Sequence, residues 1–205
     1  MARNGNQTRE NIMNAAQALI LQQGFSATSV DSVIEGAGIT KGTFFYHFKA
    51  KSELASALVA RYARLDAEHL DGDLARAEGL SRDPLQQILI LVGLFREEMA
   101  GLTEPFPGCL YASFCYEAGL FDDETLGHIT GAFAYWRERL EPKFTAIIDA
   151  HPPRYPVSAD ELTDMLLGIF EGAFILSQTW KDPAIIMQQL GHYRNYIELL
   201  FSANA

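Results

Sequence analysis

Thr40 and Lys41 stand at the predicted start of a short helix, a hydroxyl and an ammonium side by side. Donors in that position meet phosphate oxygens alongside the free N–H groups of the first helical turn, and side chains just inside reach base edges. The preceding residues supply the scaffold for such chemistry. Thr28 and Asp31, three positions apart, predict an N-cap opening a helix through Val30, Val33 and Ile34, which ends near Gly36-Ala37-Gly38. Thr40 then caps the next helix, and Val33, Ile34, Ile39 and Phe44 fix the angle between the two. Two short helices joined by a glycine-containing turn of about four residues form a helix-turn-helix. A plain helical hairpin carries the same pattern, so the pattern alone leaves both open.

Other reactive groups point less far. The chain has no phosphate loop ending in Gly-Lys-Ser/Thr, no His-Glu-x-x-His, no nucleophile elbow and no Cys/His spacing suited to a metal. Carboxylates that adjoin in sequence, Glu97-Glu98 and Asp122-Asp123, face apart on a helix and read as solvated or capping charges. No catalysis, cofactor or metal is therefore expected. Cys109 falls near the predicted start of a helix, where the dipole favours a thiolate; a small buried hydrophobe is the alternative. Cys115, six residues on, is too far round the helix for an easy bond to it.

A chain of 205 residues with 48% hydrophobic and 20% charged residues buries a core without disulfide or metal staples. Its longest apolar stretches, Ile88–Phe95 and Met165–Leu176, are too short to span a bilayer. The start of the chain lacks an apolar signal core, which leads us to expect a cytoplasmic protein away from membranes. The net charge of −10 opposes a nucleic-acid partner at first sight. Its distribution does not. Residues 1–51 hold Arg3, Arg9, Lys41, Lys49 and Lys51 against Glu10, Asp31 and Glu35, an excess of +2 that leaves −12 on the remainder. A basic end on an acidic body orients an encounter with DNA, although so small an excess also describes an ordinary solvated surface.

Helical periodicity runs through the whole chain, and no segment alternates as a strand does, which predicts an all-α protein. A first helix spans about 7–23 and stops at Gly24; a long fourth helix begins near Ala50. The fifth opens at Arg82–Pro84, the sixth at Pro105–Pro107 and the seventh at Asp122-Asp123-Glu124. After a loop at His151–Pro156, Ser158 and Glu161 form a capping box for the eighth, and Asp182-Pro183 opens the ninth. The division expected is a three-helix head at residues 1–52 and a larger helical domain at 53–205.

The run Gly38-Ile-Thr-Lys-Gly-Thr-Phe-Phe-Tyr-His-Phe-Lys-Ala-Lys-Ser-Glu-Leu54, preceded by Gly24-Phe-Ser-Ala-Thr-Ser-Val30, resembles the DNA-binding domain of the TetR family of transcriptional regulators. The resemblance implies a homodimer on a palindromic double-stranded DNA operator, most often a repressor released by a small molecule. It places Thr40, Lys41, Gly42, Thr43 and Phe45 on the recognition helix, with Lys41 and Thr43 reading bases. Tyr46, His47 and Lys51 would contact the phosphate backbone, as would Ser29. Gly42 either lets a phosphate or thymine methyl approach closely or meets a packing requirement. Ala50 departs from the polar residue often found at that point and removes a side-chain cap from the fourth helix.

Two apolar stripes offer a dimer surface: Met165, Gly168, Ile169, Gly172 and Leu176 in the eighth helix, and Ile186, Leu190, Tyr193, Ile197 and Leu200 in the ninth. Either stripe can equally face its own core. The family holds its effector in the middle of the chain, where Phe95, Met99, Phe106, Cys109, Leu110, Phe114, Phe133, Trp136, Phe170 and Phe174 would line a pocket for an apolar or aromatic molecule of unknown identity, or simply form the core.

Overall fold

A computed structural model describes residues 2–202, with side chains from Gly5 onward; Arg3, counted above in the basic excess, lies outside the described side chains. Among the described residues there are nine α-helices, one 3-10 turn and no strand. In order they are α1 (Ala2–Gln23), α2 (Val30–Gly36), α3 (Lys41–His47), α4 (Lys51–Leu80), α5 (Pro84–Ala100), α6 (Leu110–Cys115), α7 (Asp123–Ala150), α8 (Ala159–Trp180) and α9 (Ala184–Phe201), with the 3-10 turn at Ala118–Leu120. No helix among them is long and apolar enough to cross a membrane.

The chain divides into two compact units, and neither follows the expected cut after residue 52. The first holds 1–65 and 109–131, the second 66–108 and 132–205, so that α4 and α7 each contribute to both. Packing explains the shift. In the first unit Leu54, Ala55, Leu58 and Val59 of α4 are buried with Ile12, Met13, Ala16 and Ile20 of α1. Arg61 adds a polar clamp, donating at 2.8 Å to Glu10, Asn14 and Gln17. The first half of α4 is thus core to the head.

Residues 109–121 complete that unit. Phe114 and Phe121 stack at 4.5 Å between ring centres, and Phe25 packs on both at 5.6 and 4.7 Å. The sixth helix starts later than Pro105–Pro107 suggested, because two prolines and Gly108 at φ +114 hold the chain out of helical geometry until Cys109. Cys109 is buried and Cys115 exposed, and neither forms a disulfide.

In the second unit α9 lies against α5 and α8. The core joins Leu70, Leu74 and Ala77 of α4, Ile88, Leu91, Val92 and Phe95 of α5, Trp136, Leu140 and Phe144 of α7, and Leu162 and Leu166 of α8. Tyr193, buried in this core, donates to the Leu162 carbonyl at 2.8 Å, and burial pushes its phenol well above the usual range. Tyr135 and Arg139 both donate to Asp71, at 2.6 and 2.7 Å, and the tyrosine hydroxyl holds that carboxyl below its usual value. α7 continues through Pro142, which forfeits one backbone bond.

The ninth-helix stripe corrects one sequence expectation. Ile186, Leu190, Tyr193, Ile197 and Leu200 are all buried in the core of their own unit, so they are unavailable to a second chain. The eighth-helix stripe differs: Met165 and Leu176 are exposed, as is Ile175 beside them. Adding a Cβ at Gly168 or Gly172 would meet nothing within 4 Å, so the chain's own packing does not require glycine there.

Candidate nucleic-acid interface

Local hydrogen bonds set the two helices of the head. α2 is capped by Ser29 rather than Thr28: the Ser29 hydroxyl accepts from the Ser32 amide, and the Ser32 hydroxyl accepts from the Ser29 amide, each at 3.0 Å. Thr28 is buried and donates to the Gly24 carbonyl at 2.8 Å, closing the turn after α1. The cap moves by one residue because Ser32, at the third helical position, returns a bond that Asp31 is not placed to make. Between α2 and α3, Gly38 takes φ +64, a left-handed conformation that a side chain would strain. The Thr40 hydroxyl then accepts from the Thr43 amide at 3.2 Å, as expected of the cap, and lies 2.8 Å from the Thr43 hydroxyl.

These caps leave α3 with one buried and one open side. Phe44 and Phe48 are fully buried and pin the helix. Thr40, Lys41, Gly42, Phe45 and Tyr46 are exposed, with Tyr46 at 77%, and Thr43 and His47 are half-buried beside them. Tyr46 and His47 meet edge to face at 5.0 Å. Lys41 reaches Asp31 at 3.6 Å, but both side chains are largely exposed and so weak a pair yields readily to a phosphate. A Cβ on Gly42 would meet only the Thr40 hydroxyl, at 3.9 Å, so the packing of its own chain does not require glycine there. Ser29 is exposed at the start of α2. The face can therefore present hydroxyls, an ammonium, a phenol and an imidazole to a polyanion and its base edges.

Lys51 departs from its expected role. Its ammonium donates to the Phe25 carbonyl at 2.5 Å and sits 3.9 Å over the Phe25 ring. Burial lowers its pKa, opposed by the charge of Glu117. It is bound within its unit rather than extended on the open face. Glu117 itself was missed by sequence reasoning. Its carboxylate accepts from the amides of Phe25 and Ser26 at 2.8 and 3.0 Å and from the Ser26 hydroxyl, which together hold it below the usual carboxylate range, the hydroxyl contributing most. No sequence pattern links Glu117 to a turn so far back in the chain. At the start of α4, Glu53 accepts from the Lys49 amide at 2.6 Å, a donor ahead of the helix and different from the first-turn amides that a side-chain cap at position 50 would serve.

The residues expected around an effector separate. Phe95, Trp136, Phe170, Phe174 and Phe106 form a continuous ring network in the second unit, with centroid distances from 4.8 Å for Phe106–Phe174 to 6.2 Å for Trp136–Phe170, and Met99 packs against the same core. Trp136 donates to Asp66 at 2.9 Å. Phe133, half-buried, belongs to the same unit. Cys109, Leu110 and Phe114 instead belong to the first unit, where Phe114 serves the cluster with Phe25 and Phe121. Helix α6 places them there through its contacts with α1.

Residues 12–58 match the profile of the bacterial regulatory proteins of the tetR family. The chain is 28% identical over 142 residues to the transcriptional regulator AcuR of Cereibacter sphaeroides, covering 66% of this chain and 60% of that regulator's length. Over 50 residues, 24% of this chain and 23% of its relative, it is 44% identical to the HTH-type transcriptional regulator AcrR of Shigella flexneri. A crystal structure of a TetR-family transcriptional regulator from Agrobacterium tumefaciens superposes with a TM-score of 0.76 at 20% identity, covering 97% of this chain and all of that one. That likeness extends the shared fold well beyond the residues matched by the profile.

Proposed function

Since the chain belongs to the TetR family of bacterial regulatory proteins, DNA-binding transcription regulators and not enzymes, we propose that it is a repressor which binds a palindromic operator as a homodimer and leaves it when a small apolar or aromatic molecule binds. The observation that carries this reading is the open side of α3: Lys41, Phe45 and Tyr46 stand exposed on a helix whose other side is anchored by Phe44 and whose start is capped by Thr40. Lys41 and Thr43 read base edges, Gly42 admits a close approach, and Ser29, Thr40, Tyr46 and His47 hold phosphates.

One seven-residue helix makes too few contacts for a specific site, so two copies act together. The stripe on α8, with Met165, Gly168 and Leu176 exposed, Gly172 half-buried and neither glycine meeting a neighbour of its own, supports an interface in which a second α8 approaches closely. In the DNA-bound dimer the two α3 helices stand about 34 to 36 Å apart, or one helical turn more. The effector occupies the neighbourhood of Phe106, Trp136, Phe170 and Phe174. It acts by binding better to a conformation with that spacing wrong, and its effect on operator affinity equals that difference.

Fluorescence anisotropy tests this with DNA from upstream of the chain's own gene, at two salt concentrations. Binding that weakens with salt, and that Lys41→Ala loses with a shallower salt slope, is the expected result. Failure to bind either this or random DNA at low salt would overturn the reading.

A further inference from the structure

His69 and Asp73 lie one turn apart on α4, and Glu98 of α5 meets them. His69 Nε2 is 2.9 Å from Glu98 Oε2 and 3.4 Å from Asp73 Oδ2, and one donor atom from each of the three side chains falls within 4.8 Å of the others. All three residues belong to the second unit. Asp73 Oδ2 is buried yet accepts no hydrogen bond, and neither carboxylate is paired with a lysine or arginine among the described residues. A buried carboxylate oxygen without a donor is costly and signals an absent water or ion. Here it is aimed at an imidazole nitrogen that also faces a second carboxylate.

We propose that His69, Asp73 and Glu98 bind a divalent transition-metal cation that ties α4 to α5. Ligands about 2.1 Å from a metal lie about 3.0 to 3.4 Å from each other in octahedral or tetrahedral geometry, which the two nitrogen–oxygen separations approach without rearrangement. One imidazole with two carboxylates suits zinc, cobalt, nickel or manganese; magnesium and calcium favour all-oxygen sites. The two negative charges are neutralised by the cation, and the orphaned Asp73 oxygen gains its partner. Half of the His69 side chain is exposed, so the metal has a route in, and water completes its coordination. The site owes nothing to the DNA-reading role.

The test uses the full chain, free of any affinity tag and stripped with a chelator, titrated with zinc by calorimetry and with cobalt by visible absorption. We expect saturable binding of one metal per chain, weakened at least about tenfold by His69→Ala and by Glu98→Gln. Far-ultraviolet circular dichroism of the metal-free variants checks that both remain folded, and Glu98→Gln alters only a partly exposed side chain. Metal should also raise the melting temperature of the wild type and not of the variants. No saturable binding to the wild type, or equal affinity in both variants, would overturn the site and leave the three groups as a histidine ion pair. Displacement of zinc by equimolar magnesium would overturn its transition-metal character.

Discussion

The open side of α3 and the aromatic network of the second unit are built by opposite means. On α3 the exposed groups come from adjacent positions, and each short helix of the pair starts on a hydroxyl that accepts an amide three residues ahead, Ser29 for α2 and Thr40 for α3. Phe95, Trp136, Phe170 and Phe106 come from α5, α7, α8 and the segment after α5, and only packing brings them into contact. The first surface is held by small local terms repeated along the chain. The second depends on a shared apolar core, so a change in any one helix reaches all of it.

Substitutions of different kinds should separate the two constructions. The largest effect belongs to the second unit: Leu190→Ala, at a fully buried position of α9, should lower stability by about 2 to 5 kcal/mol in urea unfolding. Leu176→Glu, on the open stripe of α8, should leave helical content unchanged but convert the proposed dimer to monomer in sedimentation equilibrium. If Leu190→Ala dissociated the dimer with little loss of monomer stability, the assignment of the two stripes would be reversed. Next in size, Ser29→Ala should cost about 1 kcal/mol. Its effect should appear first in amide exchange of α2, because the loss is local.

The smallest effect expected is one of pH. Folding lowers the Glu117 pKa, so its contribution is complete above the unfolded value of about 4.3 and disappears as pH falls through the folded value. Wild type should therefore be more stable than Glu117→Gln near neutrality, with the gap closing as the solution is acidified below about pH 4. A gap that widened in acid would show that the carboxyl is held in its protonated form.

Features carried by neighbouring residues were legible from the sequence. The stop at Gly24, the Thr40 cap and the Ser158–Glu161 capping box all appear where spacing predicted, because each is fixed within a few residues of chain. The misplaced cap at Thr28 is an error of the same local kind, settled by whether Asp31 or Ser32 returns the bond. Other features had no sequence signature. Periodicity shows that Leu190 and Met165 each lie on an apolar stripe, but whether a stripe is covered by its own chain depends on helices elsewhere. The same holds for Lys51, turned onto Phe25, for Glu117, and for His69 and Glu98, which meet from different helices with no motif spacing.

The discontinuous makeup of the first unit bears on how such a protein can be recombined. A chimaera that joined residues 1–52 to a foreign body would leave behind the buried Leu58 and Arg61, which clamps α1, and also Phe114 and Glu117, which hold Phe25 and the turn into α2. Transplanting the first unit therefore means carrying two stretches of chain, one reaching Leu65 and the other running from Cys109 to Gly131. The unit that carries α3 is thus a folded patchwork of two stretches of chain and not a detachable N-terminal cassette.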